Sequence, residues 1–110
     1  DDGCRFENLL AVSLIKLAAR LTEIGLGTFE IMHIRNKEKQ EIDFVMVKNN
    51  KPIALFEAKE SDSNISKAGS YFSKQLSLPY FQIVRNCRNV EIFPGNCAVI
   101  SATSFLMLTG

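Results

Sequence analysis

Apolar side chains recur at helical spacing near the start of the chain and then alternate through three short segments. The helical spacing runs over residues 5–22, where leucine and alanine return every three or four positions and two glycines follow. Residues 29–35, 41–47 and 53–59 are rich in β-branched and aromatic side chains and predict three strands. Both faces of the second and third strands are largely apolar, which predicts central strands covered on each side.

The second half of the chain predicts one more helix and further strands. The helix is expected over about residues 66–76, although Gly69 weakens it. Ser63, Asn64 and Ser66 are the candidates for its N-cap. Strands are expected over residues 80–84, 90–93 and 98–100, and a short apolar helix over 102–108.

The order of these elements predicts the fold class. A helix, three strands, a helix and a strand follow one another, with extra strands beyond. Short connections make the first three strands an antiparallel meander, and the helix after the third strand permits a parallel crossover. We therefore expect an α/β fold with a mixed β-sheet (an α-β-β-β-α-β core) flanked by helices.

Composition is that of an ordinary globular domain. The chain has 110 residues, of which 46% are hydrophobic and 23% charged, so we expect a single domain over residues 1–110. No apolar run approaches membrane-spanning length, and no secretory signal is visible. These features predict a cytoplasmic protein without a membrane partner. The start at Asp1, without a methionine, indicates a fragment of a longer protein.

Charge and cysteines limit the classes of partner. The net charge is +1, whereas proteins that bind nucleic acid through phosphates usually carry a basic surplus. Any contact with DNA must therefore use a local patch or another domain. The basic residues considered for such a patch, set against a scattered solvated surface, are Lys48, Lys51, Lys67, Lys74, Arg85 and Arg88. Cys4, Cys87 and Cys97 are widely spaced, which predicts free thiols.

Two acidic residues and a lysine mark the second and third strands. With a three-residue hairpin loop at residues 49–51, Asp43 lies opposite Glu57 on the face of Val45 and Leu55. Opposed side chains approach to about 5 Å, close enough to share one ion. Lys59 falls on the same face by alternation. Two carboxylates and a lysine can hold a divalent cation and orient water for cutting a phosphodiester bond.

Two alternatives stay open for this cluster. A two-residue loop at Asn49 and Asn50 would pair Asp43 with Phe56 and send Glu57 to the other side of the sheet. Strand carboxylates are also commonly solvated or paired with a neighbouring lysine. Both faces of these strands are otherwise apolar, and isolated charges are rarely buried unless they are paired or bind metal. Exposure of the acids at the rim of the sheet also stays open.

Four segments together resemble the restriction-endonuclease-like, or PD-(D/E)XK, superfamily. The chain is most similar to a domain that follows the ATPase module in predicted AAA-type ATPases of bacteria and archaea. The segments are Phe6-Glu7-Asn8-Leu9, Ile34-Arg35, Glu41-Ile42-Asp43-Phe44-Val45 and Phe56-Glu57-Ala58-Lys59. The resemblance covers about residues 5–85 and implies a metal-dependent nuclease fold fused to an N-terminal ATPase domain.

The resemblance also implies roles for individual residues. Asp43 and Glu57 would bind Mg²⁺ or Mn²⁺ with the Ala58 carbonyl. Glu7 would hold the ion from the first helix, unless it is only a helix-start carboxylate. Lys59 would orient the attacking water, unless it only pairs with a glutamate. The proline of the family motif is absent, since isoleucine precedes Asp43.

Other polar residues carry weaker signals. His33 alternates on its strand and is expected to be partly buried rather than catalytic. Tyr71 and Gln75 are spaced to share a helix face, where Tyr71 is expected to pack and Gln75 loosely resembles a polar site residue. No nucleophile elbow and no P-loop is present.

Two functions therefore compete. The first is a metal-dependent nuclease acting on DNA phosphodiesters. The second is a catalytically inactive nuclease-fold module that binds protein or nucleic acid. The apolar segment at residues 104–108 either covers the core or docks against another subunit, which leaves an oligomer open.

Overall fold

A computed structural model describes residues 2–35, 41–61, 64–85 and 90–109. Its helices are α1 (Asp2–Glu23), α2 (Lys67–Leu76) and α3 (Ala102–Thr109). Its strands are β1 (Phe29–Arg35), β2 (Glu41–Lys48), β3 (Lys51–Lys59), β4 (Tyr80–Val84), β5 (Glu91–Phe93) and β6 (Cys97–Ser101). Every predicted element is present, with bounds that differ by a few residues at most.

The described strands form one mixed sheet in the order β1-β2-β3-β4-β6-β5. β1, β2 and β3 are an antiparallel meander, as predicted. α2 then crosses over, so that β4 pairs parallel with β3. β6 pairs parallel with β4 and antiparallel with β5. The predicted α/β class and the mixed sheet are confirmed.

Helices cover both faces of this sheet, as the apolar faces of β2 and β3 predict. On the first face, which we call the α1 face, α1 and α3 pack on the sheet. Its buried core is Phe6, Leu10, Leu14, Ala18, Met46, Ala54, Phe56, Ile83, Ala102 and Phe105. On the second, the α2 face, the buried core is Ile42, Val45, Val47, Leu55, Phe72, Tyr80 and Cys97.

The hairpin between β2 and β3 differs from the prediction in its loop. The loop has two residues, Asn49 and Asn50, whose positive φ angles of 50° and 67° suit the tightest hairpin turn. The pairing then shifts by one residue, because Val47 pairs with Pro52 whereas Met46 pairs with Ala54. This β-bulge restores the register that a three-residue loop would have given. The prediction of a three-residue loop, with Val47 opposite Ile53, was wrong.

A second irregularity lies where β2 meets β1. Met32 pairs with Val45 and Ile34 with Ile42, so β1 advances two residues while β2 advances three. The extra residue falls in the segment that contains Asp43. Ile42 consequently packs on the α2 face, and its predicted place on the face of Phe44 was wrong. A bulge bends its strand and re-aims the side chains on it.

α2 begins where the capping residues predicted it. Ser66 is the N-cap, and its Oγ accepts a hydrogen bond of 2.9 Å from the Gly69 N–H. The helix ends at Ser77, which has a left-handed φ of 54° and donates its N–H to the Ser73 carbonyl. Asn64 precedes the cap in the loop from β3.

The end of the described chain covers the core. Phe105 of α3 is buried on the α1 face, whereas Met107 is 81% exposed. Cys97 is a buried free thiol, as predicted. None of the helices described is long and apolar enough to span a membrane. The predictions for Ser63, for Cys87 and Arg88, for the Cys4 side chain and for the turn at 36–40 lie outside the described residues.

Candidate functional site

Asp43 and Ala58 are joined directly across the β2–β3 hairpin. The Asp43 Oδ2 accepts a hydrogen bond of 2.9 Å from the Ala58 N–H. The pairing of β2 with β3 ends with Phe44 opposite Phe56, and Asp43 is the next residue of β2. The bulge thus compensates for the two-residue loop as far as Phe44, and the pairing of Asp43 with Glu57 stays a prediction. Asp43 is half-buried and is the third residue of β2.

Glu57 lies on the α2 face and is buried, with 5% of its surface exposed. Its Oε1 accepts hydrogen bonds of 2.7 Å from the Ser66 hydroxyl and of 2.7 Å from the Tyr80 hydroxyl. Two hydroxyl donors to one carboxylate oxygen compensate much of the cost of removing it from water. These two hydrogen bonds therefore explain why the Glu57 carboxylate can be buried.

Gln82 completes this buried cluster, which we call the Glu57 network (Glu57, Ser66, Tyr80 and Gln82). Its Oε1 accepts the Ser66 N–H at 3.0 Å and lies 2.8 Å from the Tyr80 hydroxyl. Its Nε2 donates to the Asn64 carbonyl at 2.7 Å. Tyr80 has one hydroxyl proton, and Gln82 already has a donor in Ser66, so that proton serves the Glu57 carboxylate.

Tyr80 is fully buried, with 0% of its surface exposed. Burial, and then the charge of Glu57, raise the pKa of the Tyr80 hydroxyl well above its ordinary value, so it stays a proton donor. Gly69 leaves space for the Tyr80 ring, because a Cβ built at residue 69 would overlap that ring. Gly69, read in the sequence as a weakness of α2, is required for this close approach.

Glu7 is brought towards Asp43 from the first turns of α1. Its carboxyl group is exposed, but its pKa is raised by partial burial and next by the charge of Asp43. Glu41 raises it further and His33 opposes the shift. Like charges thus crowd the end of the sheet where β2 begins. We call Asp43, Glu7 and Glu41 the acidic edge.

Lys59 ends β3 beside this cluster. It pairs with Val84 in the parallel register and its carbonyl accepts the Arg85 N–H at 2.9 Å. Its side chain is half-buried. Glu60, the alternative ion-pair partner considered for Lys59, lies 3.4 Å from the Arg85 guanidinium.

The three other candidate residues from the sequence, His33, Tyr71 and Gln75, are all exposed. His33 is exposed rather than partly buried, and its Nδ1 lies 3.3 Å from the Asp43 carbonyl. Tyr71 packs edge-on against Phe72 at 5.2 Å between ring centroids, as expected for a packing residue, although it is 41% exposed. Gln75 is exposed on α2.

The donor set fits a divalent cation in kind, since carboxylate and carbonyl oxygens are the ligands of Mg²⁺ and Mn²⁺. The pKa of Glu7 is raised first by partial burial and next by the charge of Asp43, and a nearby cation would oppose both effects. However, no three His, Cys, Asp or Glu side chains of the described residues lie close enough together to form a metal-binding group. The described part of the chain also has no fully buried side-chain nitrogen or oxygen without a partner.

Sequence reasoning missed the partners of Glu57. The sequence predicts Ser66 as a helix cap and Tyr80 as a strand residue, and it indicates no role for Gln82. Alternation along β4 places Tyr80 and Gln82 on one face, but their contact with Glu57 depends on the parallel pairing of β3 with β4. Gly69 was the available signal, because a glycine inside a helix often marks a close approach.

Comparison of the chain with models of known families, with curated proteins and with solved structures found no match.

Proposed function

We propose that this chain is a metal-dependent nuclease-like domain of the restriction-endonuclease-like superfamily, acting on DNA phosphodiesters. The parent protein would join it to an N-terminal AAA-type ATPase domain. Support comes from the order of α1, the β1–β3 meander, α2 and the parallel β4, which is the order that the resemblance implies. The positions of the acids on that framework provide the chemistry.

The observation that carries the proposal is the placement of Asp43. Its Oδ2 is fixed by the Ala58 N–H, so the acid of β2 is fastened to the centre of the Glu57-Ala58-Lys59 triplet of β3. The charge of Asp43 also reaches Glu7 of α1. These two observations support a metal site built from acids of α1, β2 and β3, the ligand type that a metal-dependent hydrolase uses.

Each residue has a distinct part in this proposal. Asp43, Glu7 and Glu57 would hold Mg²⁺ or Mn²⁺, with the Ala58 carbonyl as a further ligand. The bound ion would supply charge neutralisation and an acidified water. Lys59 would place its ammonium group beside the phosphate and stabilise developing negative charge. The Glu57 network keeps one carboxylate oxygen occupied, which fixes the orientation of that side chain.

Calorimetric titration with Mg²⁺ and Mn²⁺, paired with plasmid nicking, tests the proposal. The informative variant is Asp43→Asn, because an amide oxygen can still accept the Ala58 N–H while the charge is lost. We expect metal binding in the wild type, at least tenfold weaker binding in the variant, and nicking that disappears with it. Lys59→Ala should lose nicking and retain the metal.

Glu23→Gln is the matched control, since Glu23 is an exposed carboxylate at the far end of α1. Its titration and nicking should equal those of the wild type. If the wild type binds neither Mg²⁺ nor Mn²⁺, the metal-dependent function is wrong.

A second function is favoured by the Glu57 network. Glu57 is buried and satisfied by Ser66 and Tyr80, as expected where a carboxylate holds a helix to a sheet. The domain would then be a catalytically inactive nuclease-fold module that binds protein or nucleic acid. Nicking that is lost in both Asp43→Asn and Lys59→Ala would contradict this alternative.

A further inference from the structure

A cleft of about 180 Å³ opens between the start of α1 and the end of β4. Arg5, Phe6, Leu9 and Arg85 line it. Arg5 and Leu9 are one helical turn apart and therefore share a face of α1. Phe6 is buried, whereas Leu9 is about half exposed, at 48%. The cleft thus has an apolar floor and an arginine on each side.

The two arginines are available to an external ligand. Both are exposed. Arg85 lies 3.4 Å from Glu60, with 44% and 41% of their side chains exposed. Exposed pairs of this kind contribute little to stability and give way easily. A guanidinium group is well matched to phosphate oxygens, to which it can donate two parallel hydrogen bonds.

Short chain connections lead from the cleft to the elements that carry the acids. Arg85 directly follows β4, and its N–H donates to the Lys59 carbonyl. Lys59 ends β3 two residues beyond Glu57, whose strand is joined to Asp43 through Ala58. On the other side, Arg5 stands two residues before Glu7 on α1. α1 therefore contributes to both the cleft and the proposed hydrolytic site, and β4 pairs with β3, which carries Glu57.

We propose that Arg5 and Arg85 bind the phosphodiester backbone of a nucleic acid, next to the bond that the acidic site would cut. This inference rests on the proposed function and gives its substrate contact. Two arginines at one cleft provide the local basic patch that a chain of net charge +1 requires. The apolar floor of Phe6 and Leu9 takes the sugar between neighbouring phosphates.

Anisotropy of a fluorescein-labelled 20-base-pair duplex (~20 pairs suffices to span the domain) measures this contact. The buffer contains EDTA, so binding is recorded whether or not the domain cuts. Arg5→Gln and Arg85→Gln should each weaken binding about fivefold and lower the salt dependence by about one phosphate. Arg20→Gln removes the same charge at the other end of α1 and should leave binding unchanged. Inorganic phosphate serves as competitor.

The outcomes are separate from those of the hydrolytic test. Losses in Arg5→Gln and Arg85→Gln that exceed the loss in Arg20→Gln support the cleft, even if no metal binds. Equal affinity in all three variants and the wild type overturns it. Displacement of the duplex by inorganic phosphate at equal phosphate concentration would assign the cleft to a free anion and also overturn the proposal. Thermal melting checks that the variants are folded.

Glu60→Gln provides a variant in the opposite direction. It removes the carboxylate that competes for Arg85, so we expect about twofold tighter duplex binding. Glu30→Gln, an exposed acid of β1, should not tighten binding. If Glu30→Gln tightens it as much as Glu60→Gln does, only net charge matters and the cleft is not the site.

Discussion

The Glu57 network and the acidic edge lie at the same end of the sheet, but their carboxylates differ in burial and in hydrogen bonding. Glu57 is buried, and hydroxyl groups of Ser66 and Tyr80 donate to it. Asp43 is half-buried and takes one backbone N–H, while Glu7 is exposed and crowded by the charge of Asp43. The Glu57 carboxylate stabilises the fold through these hydrogen bonds, whereas the pKa of Glu7 is raised by partial burial and by the charge of Asp43.

This difference shows that neighbouring carboxylates can have different roles, one in stability and the others in the response to pH and metal ions. A buried carboxylate with two donors ties β3 to the N-terminus of α2 and to β4, so its loss should be measured as stability. A carboxylate crowded by like charge stores unfavourable free energy that protons or a cation relieve. Its contribution should be measured through pH and metal ions.

The largest effect is expected from Gly69→Ala. Alanine normally stabilises a helix interior by about 1 kcal/mol relative to glycine. Here its Cβ would overlap the Tyr80 ring, so we expect the free energy of unfolding to fall by about 3 kcal/mol. Urea unfolding measures it, with Ser70→Ala, an exposed neighbour on α2, as the control. A more stable Gly69→Ala protein would contradict the close packing of Tyr80.

Tyr80→Phe removes only the hydroxyl that donates to Glu57. We expect a loss of about 2 kcal/mol in the free energy of unfolding, because a hydrogen bond to a buried charge disappears. Tyr71→Phe, at an exposed tyrosine, is the matched control and should change little. Equal unfolding curves for the two variants would show that the network does not stabilise the fold.

Added Mg²⁺ should stabilise the folded protein through the charge of Asp43. At ten times the dissociation constant, a ligand of the folded state stabilises it by about 1.4 kcal/mol. We expect this gain in the wild type and in Tyr71→Phe, and a reduced gain in Asp43→Asn. Thermal unfolding with and without Mg²⁺ measures it. The same gain in Asp43→Asn would place the ion elsewhere.

The smallest effect is expected from Glu7→Gln, and its sign is diagnostic. Because the pKa of Glu7 is raised above 4.5 in the folded state, its ionisation destabilises the fold at neutral pH. Below the unfolded pKa both states are protonated and the penalty vanishes. It grows as pH rises from the unfolded pKa to the folded pKa and is constant above that. Glu7→Gln should therefore stabilise the protein at pH 7 by only about 0.3 kcal/mol, since solvent screens an exposed group.

Urea unfolding at pH 7 and at pH 3.5 separates this effect from a general change in helix stability. Glu23→Gln should show no such gain at pH 7. A gain in Glu7→Gln that persists undiminished at the lower pH would rule out an electrostatic origin.

The elements and their order were predictable from sequence because they depend on local periodicity. Residues 29–35 and 80–84 were predicted with the bounds that β1 and β4 have, and Ser66 was among three cap candidates. The register that pairs Phe44 with Phe56 was also predicted, but from the wrong loop. A three-residue loop and a two-residue loop with a bulge give the same register, and local sequence does not separate them.

The candidate site was predictable in its residue types and less so in its contacts. Asp43, Glu57 and Lys59 stand on the expected strands. The partners of Glu57 were missed, since Tyr80 and Gln82 reach it only after β4 joins β3 in parallel. Likewise, Arg5 and Arg85 line one cleft only because the tertiary fold brings the start of α1 and the residue after β4 near each other.

By itself, the sequence determined the helices, the strands, their apolar faces and the acids that the strands carry. Each of these follows from the spacing of side chains along one element. Tertiary structure alone decided the two bulges, the burial of Glu57, the need for Gly69 and the cleft between the arginines. These depend on which elements meet and at what register, and that is fixed by the packing of the whole core, not by any one segment.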